Sequence, residues 1–87
     1  MGVDYLKKLV STYPLVVGYQ VALGKLLFED ERYDAAAIVF RQIMRLDEKP
    51  KEAMLLLGKV LRAEGQFDQA LDILLKAAVL DPADPEP

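Results

Sequence analysis

The side chains that could take part in chemistry form a restricted set. The 87-residue chain contains no cysteine and no histidine, which removes the usual transition-metal ligands and the usual general base. Carboxylates, tyrosines, lysines, Ser11 and Thr12 remain as candidate groups. Few nucleophiles and acid–base groups are therefore available for an active site. The sequence therefore predicts a protein that is not an enzyme, with no catalytic residues, no cofactor and no metal site.

Net charge and hydropathy restrict the class of partner. Eleven basic residues stand against 14 acidic residues, a net charge of −3, and the two signs are interspersed along the chain. Binding to nucleic acid rests largely on clustered Lys and Arg, so we expect no nucleic-acid partner. No apolar run approaches the roughly 18 residues of a membrane-spanning helix, so we expect no membrane insertion. The sequence leaves the compartment unknown, and a soluble cytoplasmic protein is the interpretation that we favour.

The chain repeats itself along most of its length. Residues 17–50 align with residues 51–84 without a gap, and within this alignment Leu23-Gly24-Lys25 falls on Leu57-Gly58-Lys59. A period of about 34 residues is typical of proteins in which each repeat is one supersecondary unit.

Each copy of the repeat contains two stretches in which apolar residues recur at spacings of three and four, the pattern of an amphipathic helix. Helices are therefore predicted over residues 15–29, 33–46, 51–64 and 67–80. Gly65, between the last two, can take the left-handed conformation that closes a helix. Its equivalent in the first repeat is Glu31, where that conformation has an energetic cost.

Prolines indicate the boundaries of the units. Pro14 and Pro82 lie two periods apart, and proline is tolerated where helices begin and end. The register divides the chain into a helix equivalent to the second helix of a preceding repeat, a first repeat, a second repeat and a tail, at residues 1–13, 14–50, 51–84 and 85–87. The prediction is an all-α chain of about five antiparallel helices.

The recurring residues carry a resemblance to a known family. They are Leu23-Gly24 with Leu57-Gly58, Tyr33-Asp34 with Phe67-Asp68, and Ala36 with Ala70. Their types and spacing resemble the tetratricopeptide repeat. The resemblance implies a right-handed α–α superhelix, a helical-repeat solenoid, whose concave side is lined by the first helix of each pair. Gln20 departs from the family pattern, because it stands where an aromatic residue is favoured.

The resemblance also implies a set of partner-binding residues on the concave side: Val21, Ala22, Lys25, Phe28, Leu55, Leu56, Lys59 and Arg62. Lys25 and Lys59 are one period apart and Arg62 lies about one turn beyond Lys59, so the three cations could converge on an acidic group of a ligand. Apolar contacts would supply affinity and charge would supply orientation. Alternatively, Lys25 and Lys59 are ordinary solvated residues whose recurrence is inherited with the repeat.

The last predicted helix carries apolar residues that no following helix is expected to cover: Leu71, Leu74, Leu75 and Ala78. Such a strip marks either the cut edge of a longer repeat array, which we favour, or a surface for self-association. The leading functional hypothesis is a scaffold that binds a protein or peptide of unknown identity. Two alternatives stay open: a structural module that forms a homo-oligomer by end-to-end stacking, and a small secretion or assembly chaperone.

Overall fold

The computed structural model describes residues 2–80, which form five α-helices and no strand. The helices are α1 (Gly2–Thr12), α2 (Val17–Glu29), α3 (Tyr33–Leu46), α4 (Lys51–Ala63) and α5 (Phe67–Leu80). The expected all-α fold is thereby confirmed. The tail predicted at residues 85–87 and the end of the second predicted repeat lie outside the described residues.

Helix α2 begins two residues later than the sequence pattern indicates. Leu15 lies in a turn with Pro14 instead of beginning the helix, and the N–H of Val16 donates to the carbonyl of Tyr13 at 3.2 Å. Val16 then has an extended backbone, with φ −88° and ψ 97°. The apolar character of Leu15 and Val16 continues the helical pattern, but the proline turn decides where the helix starts.

The helices pack in chain order, each against the next, and α4 also reaches back to α2. The short connections between them make neighbouring helices antiparallel. The core consists of buried apolar residues from the last four helices: Leu23, Leu27, Ala36, Ala37, Phe40, Ile43, Ala53, Leu57, Val60, Leu61, Ala70, Ile73 and Ala77. Helix α1 buries none of its residues fully. The two repeats therefore share one continuous core, with α1 packed on α2.

The same turn closes the first helix of both repeats. The N–H of Gln66 donates to the carbonyl of Leu61 at 2.8 Å, and the N–H of Arg32 donates to that of Leu27 at 2.8 Å. This bonding is the Schellman motif, which needs a left-handed residue just past the helix. Gly65 has φ 81° there and Glu31 has φ 61°. Glu31 therefore adopts the costly conformation that its alignment with Gly65 predicts.

Replacing Glu31 by glycine is expected to stabilise the protein by about 0.5–1 kcal/mol. The left-handed conformation costs a residue with a Cβ atom roughly 1–2 kcal/mol, and the greater freedom of glycine in the unfolded chain offsets about 0.4–1 kcal/mol of the gain. Urea denaturation measures the difference. Gly65→Glu is the matched control and should lose a similar amount; a Glu31→Gly protein less stable than the wild type would contradict the explanation.

Candidate functional site

A cleft of about 430 Å³ opens between α4 and α5. Seven residues line it: Glu52, Leu55, Leu56, Gly58, Lys59 and Arg62 from α4, and Leu74 from α5. We call it the α4–α5 cleft. The three leucines give it an apolar surface, and the side chains of Lys59 and Arg62 are exposed. A cleft with this lining can take apolar side chains and an acidic group together.

Helical periodicity and one glycine build the cleft. Leu55, Lys59 and Arg62 follow one another at spacings of four and three, so they share one face of α4. Gly58 lets α5 approach α4 closely, because a Cβ atom at this position would lie 2.6 Å from Cδ2 of Leu74. The recurring Leu-Gly pair therefore brings Leu74 into the lining of the cleft.

Positive charge is left unpaired in the α4–α5 cleft. The carboxylate of Glu52 forms an ion pair with Lys25 of α2, with 3.3 Å between Lys25 Nζ and Glu52 Oε2. Within residues 2–80, neither Lys59 nor Arg62 forms an ion pair. Both partners of the Lys25–Glu52 pair are exposed, so it stabilises the fold by only about 0–1 kcal/mol. Its larger effect is to neutralise the acidic group in the lining.

The eight residues predicted to bind a partner fall into two groups. The four on α4, Leu55, Leu56, Lys59 and Arg62, line the α4–α5 cleft. The four on α2 do not line it: Val21, Ala22 and Phe28 are half-buried, and Lys25 is paired with Glu52. The cleft thus brings together two of the three predicted cations, without Lys25. Glu52 was not singled out in the sequence, because its partner lies on a different helix and no local pattern reveals the pair.

The residues predicted for self-association also separate. Leu71 and Leu75 are exposed by 59% and 57% and Ala78 is exposed, whereas Leu74 is half-buried and lines the α4–α5 cleft. Val79 was not among the residues predicted for self-association, yet it is 74% exposed. Leu71, Leu75 and Val79 follow one another at a spacing of four, so they form one strip along α5, and this spacing is visible in the sequence. Helix α5 therefore has an apolar outer surface beside the cleft.

Gln20 is a polar side chain placed in the core. It is 3% exposed, and its Nε2 donates a hydrogen bond to the carbonyl of Pro14 at 2.6 Å. Its Oε1 is buried and has no hydrogen-bond partner among the described residues. Such a group costs about 1–3 kcal/mol. The amide thus anchors the proline turn to α2, at the position where the sequence departs from its apolar pattern.

Two carboxyl groups meet at the turn side of the molecule. The pKa of Glu64 is raised, first because its carboxyl group shares a hydrogen bond with that of Asp34, and further because of burial and repulsion by the Asp34 charge. The charge of Arg41 lowers the pKa of Glu64 and so opposes these effects.

Among residues 2–80, no group of three or more acidic side chains is placed to hold a metal ion. In the same part of the chain, no helix combines the length and the apolar character needed to cross a membrane.

Comparison with known proteins gives two matches. The sequence profile of the tetratricopeptide repeat matches residues 2–51 and, in an overlapping placement, residues 21–85. The chain is also similar to the anaphase-promoting complex subunit 3 of Dictyostelium discoideum, with 30% identity over 81 residues. These residues are 93% of this chain and 8% of that protein. The chain therefore corresponds to a small segment of the relative.

Proposed function

Because this chain belongs to the tetratricopeptide repeat family, we propose that it is a protein-interaction scaffold that binds a peptide or helix of a partner in the α4–α5 cleft. One observation carries the proposal: Lys59 and Arg62 are exposed and unpaired within residues 2–80, beside an apolar lining. A partner segment that combines apolar side chains with a carboxylate would satisfy both features. The similarity to a protein named as a subunit of a complex supports an interaction function.

The apolar and the charged residues that line the α4–α5 cleft contribute differently to the binding of a ligand. Removing Leu55, Leu56 and Leu74 from water supplies affinity in proportion to the apolar area buried. The two cations add less free energy, since exposed ion pairs contribute only about 0–1 kcal/mol each. Their contribution is to orient the ligand and to exclude basic segments, which is how charge commonly acts at interfaces. The four residues of α2 that do not line the cleft, Val21, Ala22, Lys25 and Phe28, remain predicted partner-binding residues.

Reversing both cations is expected to weaken binding by about 10-fold or more. The double variant Lys59→Glu and Arg62→Glu replaces attraction to an acidic group by repulsion. Because both side chains are exposed, the substitutions leave the core unchanged. Short linear peptides selected from a phage-displayed library against the wild-type protein serve as ligands. We expect the selected peptides to combine acidic with apolar residues, and fluorescence anisotropy measures their affinity for both proteins.

The control variant carries Lys7→Glu and Arg32→Glu, which change the net charge by the same amount. Both residues are exposed and lie outside the α4–α5 cleft, so this protein should bind the selected peptides as the wild type does. Thermal unfolding of all three proteins establishes that they are folded. Equal affinity of the selected peptides for the wild type and for the double variant would show that they do not bind at the cleft.

The exposed strip on α5 supports a second candidate, self-assembly. Leu71, Leu75 and Val79 form an apolar surface of the kind that mediates association. If copies stack through this surface, light scattering should show a mass that rises with protein concentration in the micromolar range, and Leu75→Lys should restore the monomer. A wild-type protein that stays monomeric over that range would exclude self-assembly as the function.

A further inference from the structure

A second cavity, of about 300 Å³, lies between the ends of α1 and α3 and above one residue of α2. Its lining comes from these three helices and from the turn that joins α1 to α2: Val10, Pro14, Leu15, Gln20, Gln42, Arg45 and Leu46. We call it the Gln20 pocket. It shares no lining residue with the α4–α5 cleft, so the two sites can be tested independently.

Gln20 forms the floor of the pocket and has an unused hydrogen-bond acceptor. It is 3% exposed, whereas every other lining residue is half-buried or exposed. Its Nε2 donates to the carbonyl of Pro14 at 2.6 Å. This contact fixes the orientation of the amide, because a carbonyl can only accept. Oε1 has no partner among residues 2–80. An N–H donor from a ligand would therefore recover the free energy lost by burying this oxygen.

Arg45 is the only charged residue among the seven that line the pocket. Its side chain is exposed, and within residues 2–80 it forms no ion pair. A guanidinium binds a carboxylate through two parallel hydrogen bonds, which fixes the direction of the bound acid. We therefore expect the carboxylate of a ligand at the rim of the pocket and its N–H donor at the floor.

Apolar side chains connect the floor with the rim. Val10 is half-buried, while Leu15 and Leu46 are 78% and 45% exposed. A ligand that removes these leucines from water gains affinity in proportion to the apolar area buried. The volume of about 300 Å³ is at the lower end of the range for small-molecule sites. The pocket therefore has room for one compact ligand and not for a partner helix.

The second repeat does not reproduce the polar groups of this pocket. One period after Gln20 and Arg45 stand Met54 and Val79, which offer neither an amide oxygen nor a cation. Apolar residues therefore suffice for the fold at these two positions of the repeat. The acceptor and the cation are specific to the first repeat, and the packing of the helices does not require them.

We propose that the Gln20 pocket binds a compact apolar carboxylic acid that carries an amide N–H, the chemistry of an N-acylated amino acid. The N–H donates to Oε1 of Gln20, the carboxylate pairs with Arg45, and the apolar side chain contacts Leu15 and Leu46. A free N-acylated amino acid and the C-terminal residue of a polypeptide share this chemistry. The site goes beyond the proposed scaffold function and does not depend on it.

N-acetyl-leucine is the probe that tests the site. Titrated into the isotope-labelled 87-residue protein, it should give saturable NMR shift changes at the side-chain amide of Gln20 and at Nε–H of Arg45. For a ligand of this size we expect a Kd on the order of 1 mM. N-acetyl-N-methyl-leucine, which lacks the N–H, should bind about five-fold or more weakly. N-acetyl-leucinamide, which lacks the carboxylate, should bind about three-fold or more weakly.

Variants of the protein assign each contact to its residue. Arg45→Gln should weaken N-acetyl-leucine about three-fold or more and leave N-acetyl-leucinamide unchanged. Arg41→Gln is the matched control, since it is the same substitution one turn earlier on α3, at an exposed residue outside the pocket. It should bind both ligands as the wild type does. Gln20→Met introduces the residue of the second repeat and should abolish the preference for N-acetyl-leucine over its N-methyl analogue.

Three results would overturn the proposal: no saturable shift change at millimolar N-acetyl-leucine, an N-methyl analogue that binds as tightly, or an Arg45→Gln protein with unchanged affinity. An acetylated tetrapeptide that ends in leucine then identifies the source of the ligand. Binding at least as tight as that of N-acetyl-leucine supports the site as one for a polypeptide C-terminus, and weaker binding supports it as one for a free acid. Neither outcome bears on the α4–α5 cleft, so the two proposals fail separately.

Discussion

The variant Phe40→Ala is expected to lose about 3–5 kcal/mol of unfolding free energy, the range for truncating a buried phenylalanine. Phe40 is 0% exposed and is among the largest fully buried side chains. Its ring lies against Gly24 of α2, so its removal opens a cavity between the two helices of the first repeat. Domains of this size have a total stability of roughly 4–13 kcal/mol. The substitution therefore removes a large part of the total unfolding free energy.

Urea denaturation followed by circular dichroism measures the loss, and a melting temperature lower by at least about 12 °C should accompany it. Phe67→Ala is the matched control, since it deletes the same side chain from a position that is 64% exposed at the start of α5. Its cost should stay below about 1 kcal/mol. Equal losses for the two variants would refute the placement of Phe40 in the core.

The second large effect concerns the recurring glycines. Gly24→Ala is expected to destabilise the protein by about 2 kcal/mol, because a Cβ atom there would lie 2.6 Å from Cζ of Phe40. Overpacking a core costs about 1–3 kcal/mol or more, while alanine gains about 1 kcal/mol over glycine inside a helix. The Phe40 ring is 0% exposed, and buried side chains are close-packed, so we expect the cost to lie near the upper end of this range.

Gly58→Ala is the same substitution one repeat later, and we expect it to change stability by less than about 1 kcal/mol. The added methyl group meets Leu74, a half-buried side chain that can turn into the open α4–α5 cleft. The double variant Gly24→Ala and Phe40→Leu should recover part of the loss, because a smaller side chain at position 40 relieves the clash. Chemical denaturation of the four proteins would disprove this account if Gly58→Ala were as costly as Gly24→Ala.

Much of the fold follows from local patterns. The period of the repeat, the recurrence of apolar residues at spacings of three and four and the Leu-Gly pairs indicate the helices, and the structure and the family match confirm the all-α repeat fold. The main discrepancy is the start of α2. A proline turn anchored by Gln20 shortens that helix, and a hydrogen bond between a side chain and a distant carbonyl gives no periodic signal.

The candidate site was less accessible to sequence reasoning. The period relates Lys25 to Lys59 and marks them as equals, but the structure pairs Lys25 with Glu52 and leaves Lys59 unpaired among residues 2–80. The sequence assigned Leu74 to self-association, whereas the structure places it in the lining of the α4–α5 cleft. Both differences depend on which helices are in contact, and the period of the repeat along the sequence does not determine these contacts.

The sequence by itself determined where the helices lie to within two residues at each end, which face of each helix is apolar and which residues are equivalent. These properties depend on side chains a few positions apart along one helix. Only the tertiary structure decided which equivalent surface is covered. Ala37 and Leu71 occupy the same place in the repeat, yet α4 packs on α3, and the described chain has no helix in that place on α5. Burial and ion pairing are contacts between distant segments, and they make the α4–α5 cleft the candidate binding surface.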